Sequence, residues 1–269
     1  MVINLIFYFT GSGNSYFIAK KISSFLNENL ISINNSIKIQ NYLNIDQKYE
    51  YELKDDEYIG FVFPIYYFGV PNVINNFIDK LKLINYKNQY IFAIITYDIS
   101  YGDSYYQFKK LLEKNNYFLN SIFSVKMPGN CILLYNPKSN EEQKNIFKNA
   151  ILSLENIKED ILNKKITSQR KDIINNIIHF LLKKFFYNIY TTKKYYVLNN
   201  CIHCSLCVSK CPSNIICLDN TSKKPVWKND GCVHCLSCIN NCPVQAIQYG
   251  NLTKKRDRYN LNNLIKKLD

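Results

Sequence analysis

Eight of the ten cysteines in this 269-residue chain fall into two copies of one spacing, which restricts the fold more than any other feature. Both copies read C-x2-C-x2-C-x3-C-P, and they end at Pro212 and Pro243. The first copy contains Cys201, Cys204, Cys207 and Cys211, and the second contains Cys232, Cys235, Cys238 and Cys242. The segment is therefore an internal repeat organised around eight thiols.

This spacing is that of bacterial two-cluster iron–sulfur proteins. Thiolates at every third position lie on a tight loop, so three sulfur atoms can reach three corners of a 4Fe-4S cube. In such pairs the fourth cysteine of each run binds the cluster of the other run. We therefore expect one cluster on Cys201, Cys204, Cys207 and Cys242, and a second on Cys232, Cys235, Cys238 and Cys211. The fourth cysteine of each run is expected to open a short helix.

Two other uses of the cysteines fit the sequence less well. A zinc ribbon takes two cysteines per knuckle, so the third cysteine of each triplet would have no role. A disulfide framework requires an oxidising compartment, whereas residues 1–9 show no cationic segment and no small-residue cleavage site. We therefore expect a cytoplasmic protein. The remaining cysteines, Cys131 and Cys217, are expected to be small buried hydrophobes.

A histidine stands before the second cysteine of each run, at His203 and His234. We interpret both as solvent-facing loop residues. The alternative is that a protonated imidazole raises the potential of the neighbouring cluster near neutral pH. Ile202 and Val233 precede the histidines and are expected to cover the clusters from solvent.

The amino-terminal half begins with a strand, a polar loop and a helix. Residues 2–9 form an apolar, β-branched and aromatic run, as in a central parallel strand buried on both faces. Ile18 and Ile22 then recur at helical spacing. In the loop between them, backbone N–H groups, hydroxyls and a helix amino terminus would face an anion. The candidate phosphate ligands are Thr10, Gly11, Ser12, Gly13, Asn14 and Ser15.

This loop has neither the lysine of a Walker motif nor the three glycines of a dinucleotide site. Its pattern, T/S-x-T/S-G-x-T/S, is similar to the FMN phosphate loop of flavodoxins, in which hydroxyl groups rather than a lysine would bind the phosphate. An ordinary strand-to-helix turn is the alternative interpretation.

Strands and helices alternate through the rest of this half. Further strands are predicted over residues 29–33, 58–63, 90–96 and 121–127. One helix is predicted through Phe77 and Leu81, and another contains Phe108, Leu111 and Leu112. This alternation predicts an α/β fold with a flavodoxin-like, doubly wound, five-stranded parallel sheet. Ligands of such sheets bind outside the carboxyl ends of the strands, at the switch point.

Two loops at these strand ends carry aromatic side chains that could stack on a flat flavin ring. Tyr101 lies in the second loop, and glycines in both could allow a close backbone approach to the ring. The candidate flavin contacts are Tyr66, Tyr67, Phe68, Gly69, Tyr97 and Gly102. The alternative is compositional, because the chain holds 22 tyrosines and any loop can contain one.

Over nearly its full length the chain resembles the flavodoxin–ferredoxin fusion ("ferrodoxin") family. The resemblance lies in residues 9–15, 63–71 and 126–130 and in both cysteine runs. It implies an FMN site in a flavodoxin-like domain joined to a small α+β two-cluster ferredoxin-like domain. One departure is Asp98-Ile99-Ser100, where the family usually has a glycine-rich loop. Asp98 would disfavour an anionic reduced flavin if it lay close to it.

The predicted domains are a flavodoxin-like domain over residues 1–165, an amphipathic helical linker over 166–195, a ferredoxin domain over 196–250 and a basic tail over 251–269. A polar helix is expected over residues 141–162. In the linker, residues 171–190 show an apolar face and a polar face, and the polar face excludes a transmembrane span. We expect this helix to pack between the domains; a helix lying on a membrane surface is the alternative.

The formal charge of +13 raises the question of nucleic acid. Lysines are scattered rather than clustered, apart from Lys254, Lys255 and Arg256. Two clusters and a phosphate would lower the net charge to roughly +7. We therefore expect acidic redox partner proteins and no nucleic acid.

Three functions follow from these features. The first is electron transfer between two 4Fe-4S clusters and FMN. The second is a flavin-dependent reductase wired through the clusters, with Tyr67, Tyr97 or Asp98 as proton donor. The third is a metal-containing regulatory or nucleic-acid-binding module.

Overall fold

The structure is a computed structural model that describes residues 5–27, 29–43, 47–167, 181, 191–228 and 231–267. We call residues 5–167 the α/β lobe, residues 191–249 the cysteine lobe and residues 250–267 the C-terminal strap. The amphipathic helix predicted over residues 171–190 lies outside the described residues, apart from Leu181.

A parallel five-stranded sheet forms the centre of the α/β lobe. Its strands are β1 (Leu5–Tyr8), β2 (Asn29–Ser32), β4 (Ile59–Pro64), β6 (Ile91–Tyr97) and β7 (Leu119–Lys126). Their spatial order is β2-β1-β4-β6-β7. This is the doubly wound flavodoxin-like order. The direction in which successive strands are added to the sheet reverses between β1 and β4, while all five strands remain parallel. The predicted fold class is confirmed, and its weakest predicted strand, β2, forms the sheet edge beside β1.

Helices cover both faces of this sheet, which explains why β4 and β6 are apolar on both sides. On one face, α1 (Asn14–Leu26) packs against α5 (Asn140–Leu162). On the other face lie α3 (Asn72–Lys80) and α4 (Ser104–Lys114), and α2 (Ile33–Leu43) follows β2. The helix expected to be polar, α5, buries Phe147 and Leu154 on the sheet. It begins at a capping box made by Ser139 and Glu142.

One predicted helix ends earlier than its pattern indicated. Leu81 does not continue α3 but opens strand β5 (Leu81–Ile84), which pairs in parallel with β3 (Tyr49–Glu52). Leu81 and Leu83 alternate into the core, as strand residues do. The hydroxyl of Tyr117 fixes this strand, since it donates to Leu81 O and accepts from Leu83 N.

The cysteine lobe is built from two antiparallel strand pairs and two short helices. Strand β8 (Tyr195–Val197) pairs with β11 (Ile247–Tyr249), and β9 (Ile216–Leu218) pairs with β10 (Pro225–Trp227). The helices are α6 (Leu206–Ser209) and α7 (Ser237–Asn240). The third cysteine of each run lies in a helix, and the fourth follows its end. The expectation that the fourth cysteine opens a helix is therefore wrong.

The C-terminal strap returns to the α/β lobe. It contains α8 (Leu261–Ile265), which begins at Asn260, whose side chain accepts from Asn263 N. Tyr259, Leu261 and Leu264 are buried in the apolar cluster formed by α1, α5 and the sheet. Sequence reasoning described this segment only by its charge. Among the helices that the structure describes, none combines the length and apolarity of a membrane span.

Candidate functional site

A cleft lies at the carboxyl ends of the central strands, where the fold class places ligands. It encloses about 1050 Å³ of space when the open solvent at its mouth is counted. Of the predicted cofactor residues, those lining it are Thr10, Gly11, Ser12, Asn14, Ser15, Tyr66, Tyr67, Phe68 and Tyr97. Gly13, Gly69 and Gly102 are not among its lining residues.

The predicted phosphate loop has hydroxyl groups left to offer an anion. Thr10 Oγ1 accepts a hydrogen bond from Gly13 N at 3.1 Å, and Ser12 Oγ accepts from Asn130 Nδ2 at 3.0 Å. Because each oxygen acts as acceptor, its own proton remains available for a phosphate oxygen. The first turn of α1 contains no acidic residue, and its first N–H groups have no partner within the helix. This donor set fits a phosphate.

The other two side chains of the loop hold neighbouring segments in place. Asn14 Nδ2 donates to Pro128 O at 2.9 Å, and Asn14 Oδ1 accepts from the Tyr259 hydroxyl at 2.6 Å. Ser15 is buried and shares a 2.8 Å hydrogen bond with Thr96 Oγ1. Asn14 and Ser15 can therefore contribute backbone N–H groups more readily than side chains.

The aromatic residues after β4 form a tight turn. Tyr66 and Gly69 exchange two backbone hydrogen bonds of 3.0 Å, and both Tyr67 and Phe68 have left-handed backbones, with φ of 52° and 62°. Such values are uncommon for bulky residues and mark a constrained segment. A Cβ on Gly102 would lie 2.3 Å from Phe68 O, so that glycine supports the turn rather than facing the cleft.

On the opposite wall, Asp98 and Tyr135 form a hydrogen-bonded pair. The Tyr135 hydroxyl donates to Asp98 Oδ2 at 2.8 Å, while Asp98 Oδ1 is buried and has no partner among the described residues. Burial and the neighbouring carboxylate raise the pKa of Tyr135. Gly129 passes so close that a Cβ there would lie 2.0 Å from Asp98 Oδ2. The cleft is therefore lined by the Asp98–Tyr135 pair in addition to the hydroxyl groups of the predicted phosphate loop.

The cysteines gather into two sets, each drawn from both runs. Cys201, Cys204, Cys207 and Cys242 line one small cavity. Cys211, Cys232, Cys235 and Cys238 line another. Among the described side chains, no three Cys, His, Asp or Glu converge as they would on a single metal ion.

Burial controls the protonation of four of the eight thiols. It raises the pKa of Cys207 and of Cys232 to about 11, and it raises the pKa of Cys235 and Cys238 as well. These four thiols are thus protonated at neutral pH in the absence of metal, and binding of iron would release their protons. Four thiols around one cavity match the ligand chemistry of an iron–sulfur cluster.

The two cysteine sets differ in exposure. Cys204 of the first set is exposed. Ile202 was expected to cover this set, but it is itself 57% exposed and leaves the set accessible to solvent. In the second set Cys211, Cys235 and Cys238 are buried. The first set therefore lies at the surface and the second in the interior.

The second cysteine run also forms part of the cleft. His234 and Leu236, on either side of Cys235, line the same cleft as the phosphate loop. A Cβ on Gly11 would lie 2.8 Å from Cys235 O and 3.2 Å from Cys235 Cβ. Val233 packs against the core of the α/β lobe, and Tyr67 packs against that of the cysteine lobe. The lobes thus interlock where the cleft meets the second cysteine set.

Asparagines extend this junction. Asn240 Nδ2 of α7 donates to Asn130 O at 3.0 Å, and Asn130 in turn donates to Ser12. Leu261 N of the strap donates to Ser12 O at 3.0 Å. Residues 127–130, which follow β7, therefore connect the phosphate loop to the cysteine lobe.

Several cleft residues escaped sequence reasoning. Cys131 packs against the core of the cysteine lobe, as expected of a small hydrophobe, but it also lines the cleft. Tyr135 lies in an irregular segment without a motif. His234 was interpreted as a solvent-facing residue, but it faces the cleft, whereas His203 is exposed. A signal existed only for His234, which lies within a cysteine run. Its position depends on how the lobes meet.

Comparison with known proteins identifies a family for the cysteine lobe. Residues 200–246 match the family described as 4Fe-4S dicluster domain. No curated protein matches the chain. Three solved structures each match 46% of it: a flavoprotein from Bacteroides uniformis (14% identity, TM-score 0.32, 90% of its own chain), the Trp repressor binding protein from Bacillus subtilis (16%, 0.31, 83%) and a flavoprotein from Bacteroides eggerthii (19%, 0.32, 89%). From its strand order and this family match, the chain combines a flavodoxin-like α/β sheet with a small ferredoxin-like iron–sulfur domain.

Proposed function

We propose that this protein transfers electrons between two 4Fe-4S clusters and an FMN. The observation that carries the proposal is the interlocked junction, because the loop around Cys235 lines the same cleft as the phosphate loop. A cluster held there would be in direct contact with the wall of the flavin site. Electron exchange between the two cofactors would then need no movement of the lobes.

The residues divide among three cofactor sites. Cys201, Cys204, Cys207 and Cys242 would hold the first cluster, and Cys232, Cys235, Cys238 and Cys211 the second. Thr10, Ser12 and the backbone of residues 10–15 would bind the FMN phosphate, while Tyr66, Tyr67, Phe68 and Tyr97 would flank the ring. Clusters exchange single electrons and a flavin can hold one or two, so the chain could convert between one-electron and two-electron partners.

The exposure of the cysteines supports an order for these centres. Cys204 is exposed and most of the second set is buried, so the first cluster would be the point of contact with a partner protein and the second would lie nearer the cleft. Lys210 and Lys223 are exposed on the same lobe, and the chain as a whole carries +13. A partner with an acidic surface would be attracted to such a surface.

The test is cofactor content with matched cysteine variants. Anaerobically purified protein should contain about eight irons and one FMN, by the ligand count. Cys242→Ser should lose the EPR signal of the first cluster although it alters the second run, while Cys217→Ser should keep both. A colourless, zinc-containing protein would contradict the proposal. Two intact clusters in Cys242→Ser would contradict the crossed ligand sets.

The Asp98–Tyr135 pair favours a second function, a flavin-dependent reductase of a small substrate. The pair lies in the cleft and could deliver a proton to a bound molecule. Candidate substrates added to the reduced protein distinguish the two functions. Reoxidation by a small molecule, lost in Tyr135→Phe, would support the reductase. Reoxidation only by redox proteins would support the carrier.

A further inference from the structure

Tyr66 carries a buried hydroxyl group without a hydrogen-bond partner among the described residues. Burying such a group unpaired costs about 1–3 kcal/mol. Native proteins rarely accept this cost, and an unpaired buried hydroxyl often marks the place of a missing partner. The ring itself is well placed, since it makes an edge contact with Phe9 at 6.0 Å between centroids.

The hydroxyl lies at the junction between the phosphate loop and the second cysteine run. A Cβ built on Gly11 would be 3.2 Å from the Tyr66 hydroxyl and also 3.2 Å from Cys235 Cβ. Tyr66 therefore approaches Cys235 from the α/β lobe side. Cys235 and Tyr66 also pack together in the core of the α/β lobe.

A second tyrosine already shows the same kind of contact within this set. Tyr195 lines the cavity of the second cysteine set together with Cys232 and Cys235. Tyr195 belongs to the cysteine lobe, whereas Tyr66 comes from the α/β lobe. No tyrosine is among the residues that line the first cysteine cavity.

We propose that Tyr66 tunes the second cluster, by donating a hydrogen bond from its hydroxyl to the sulfur of Cys235 when that cluster is bound. The inference rests on the proposed function, because it requires a cluster on this cysteine set. Hydrogen bonds to cluster sulfurs raise the reduction potential. The α/β lobe would thereby set the potential of a cluster in the cysteine lobe, and only a docked pair of lobes would have the tuned value.

The test is an anaerobic EPR-monitored redox titration of the full-length Tyr66→Phe variant. The potential of the second cluster should shift to a more negative value, while that of the first cluster stays unchanged. Phenylalanine keeps the contact with Phe9, so the fold should be retained. Tyr195→Phe is the positive control, because Tyr195 lines the cavity of the same cysteine set.

Two results would overturn the inference. An unchanged second-cluster potential in Tyr66→Phe, beside a shifted one in Tyr195→Phe, would show that Tyr66 does not donate to this cluster. A loss of FMN affinity at constant cluster potential would assign the hydroxyl to the flavin instead. A wild-type protein without clusters would refute the proposed function itself, and this outcome is separate because iron content reveals it before the titration.

Discussion

Cys131 illustrates at the residue scale how surroundings decide the chemistry of a thiol. It belongs to neither cysteine set and lines the cleft. Burial raises its pKa to about 11, although backbone hydrogen bonds at Leu134 and Leu133 lower it in part. A protonated thiol is a poor nucleophile and a poor metal ligand. Cys131 should therefore remain inert next to the proposed flavin site.

This gives a prediction on the reactivity of Cys131. With a pKa of about 11, about one thiol in a thousand is ionised at pH 8. Alkylation by iodoacetamide should be slow and should accelerate about tenfold per pH unit up to about pH 10. The rate can be measured by mass spectrometry of the Cys131 peptide in cluster-loaded protein, with Cys131→Ser as the blank. A rate that levels off below pH 9 would contradict the raised pKa.

At the scale of elements, the C-terminal strap is part of the phosphate site. Its Tyr259 is buried and holds Asn14, and its Leu261 donates to Ser12 and packs beside Gly13. Gly13 has φ of 103°, which favours glycine, and a Cβ there would lie 3.2 Å from Leu261 Cβ. The strap therefore supports the loop from the side away from the sheet.

Removal of one hydroxyl should reveal this support. Tyr259→Phe loses the hydrogen bond to Asn14, which should lower the free energy of unfolding by about 1 kcal/mol and weaken FMN binding several-fold. Tyr249→Phe is the matched control, since this buried tyrosine accepts from Thr191 N, far from the loop in the sequence. Flavin fluorescence titration measures the affinity. Equal FMN affinity in the two variants would contradict a role of the strap in the site.

At the scale of the whole molecule, the two lobes share their functional surface. Cys235 is buried in the core of the α/β lobe, while Tyr67 packs against the core of the cysteine lobe. The phosphate loop touches the second cysteine run at Gly11, where Asn241 Nδ2 also donates to Gly11 O at 3.4 Å. Folding of one lobe therefore completes the site of the other.

A methyl group at this contact should separate the lobes. In Gly11→Ala the new Cβ would lie 2.8 Å from a backbone oxygen, Cys235 O, which cannot rotate away. We expect electron transfer from the clusters to FMN to slow several-fold in stopped-flow experiments, with cluster content unchanged. Gly250→Ala is the control for backbone strain away from the contact, because its φ of 47° disfavours alanine while nothing lies within 4 Å of its Cβ. An unaltered rate in Gly11→Ala would show that the contact is not on the electron route.

Much of the fold and part of the site could be predicted from local patterns. Apolar runs located the five strands of the sheet within a few residues, and the cysteine spacing marked the iron–sulfur segment. Leu81 was assigned to a helix because it follows Phe77 at helical spacing. Its actual pairing with β3 involves residues about 30 positions away, which a local pattern does not reveal. The domain boundaries and the cytoplasmic location stay predictions.

The sequence by itself determined the fold class and the position of the 4Fe-4S dicluster segment, because spacing and hydrophobic periodicity act over a few residues. Only the tertiary structure brought Cys235, His234 and Leu236 to the cleft, paired Tyr135 with Asp98 and laid the strap across Ser12 and Asn14. These contacts join residues from about 40 to nearly 250 positions apart, and such docking depends on the shapes of two folded surfaces. The paired cysteine runs indicate iron–sulfur clusters as the cofactors. The docking of the lobes places the second cysteine run beside the cleft.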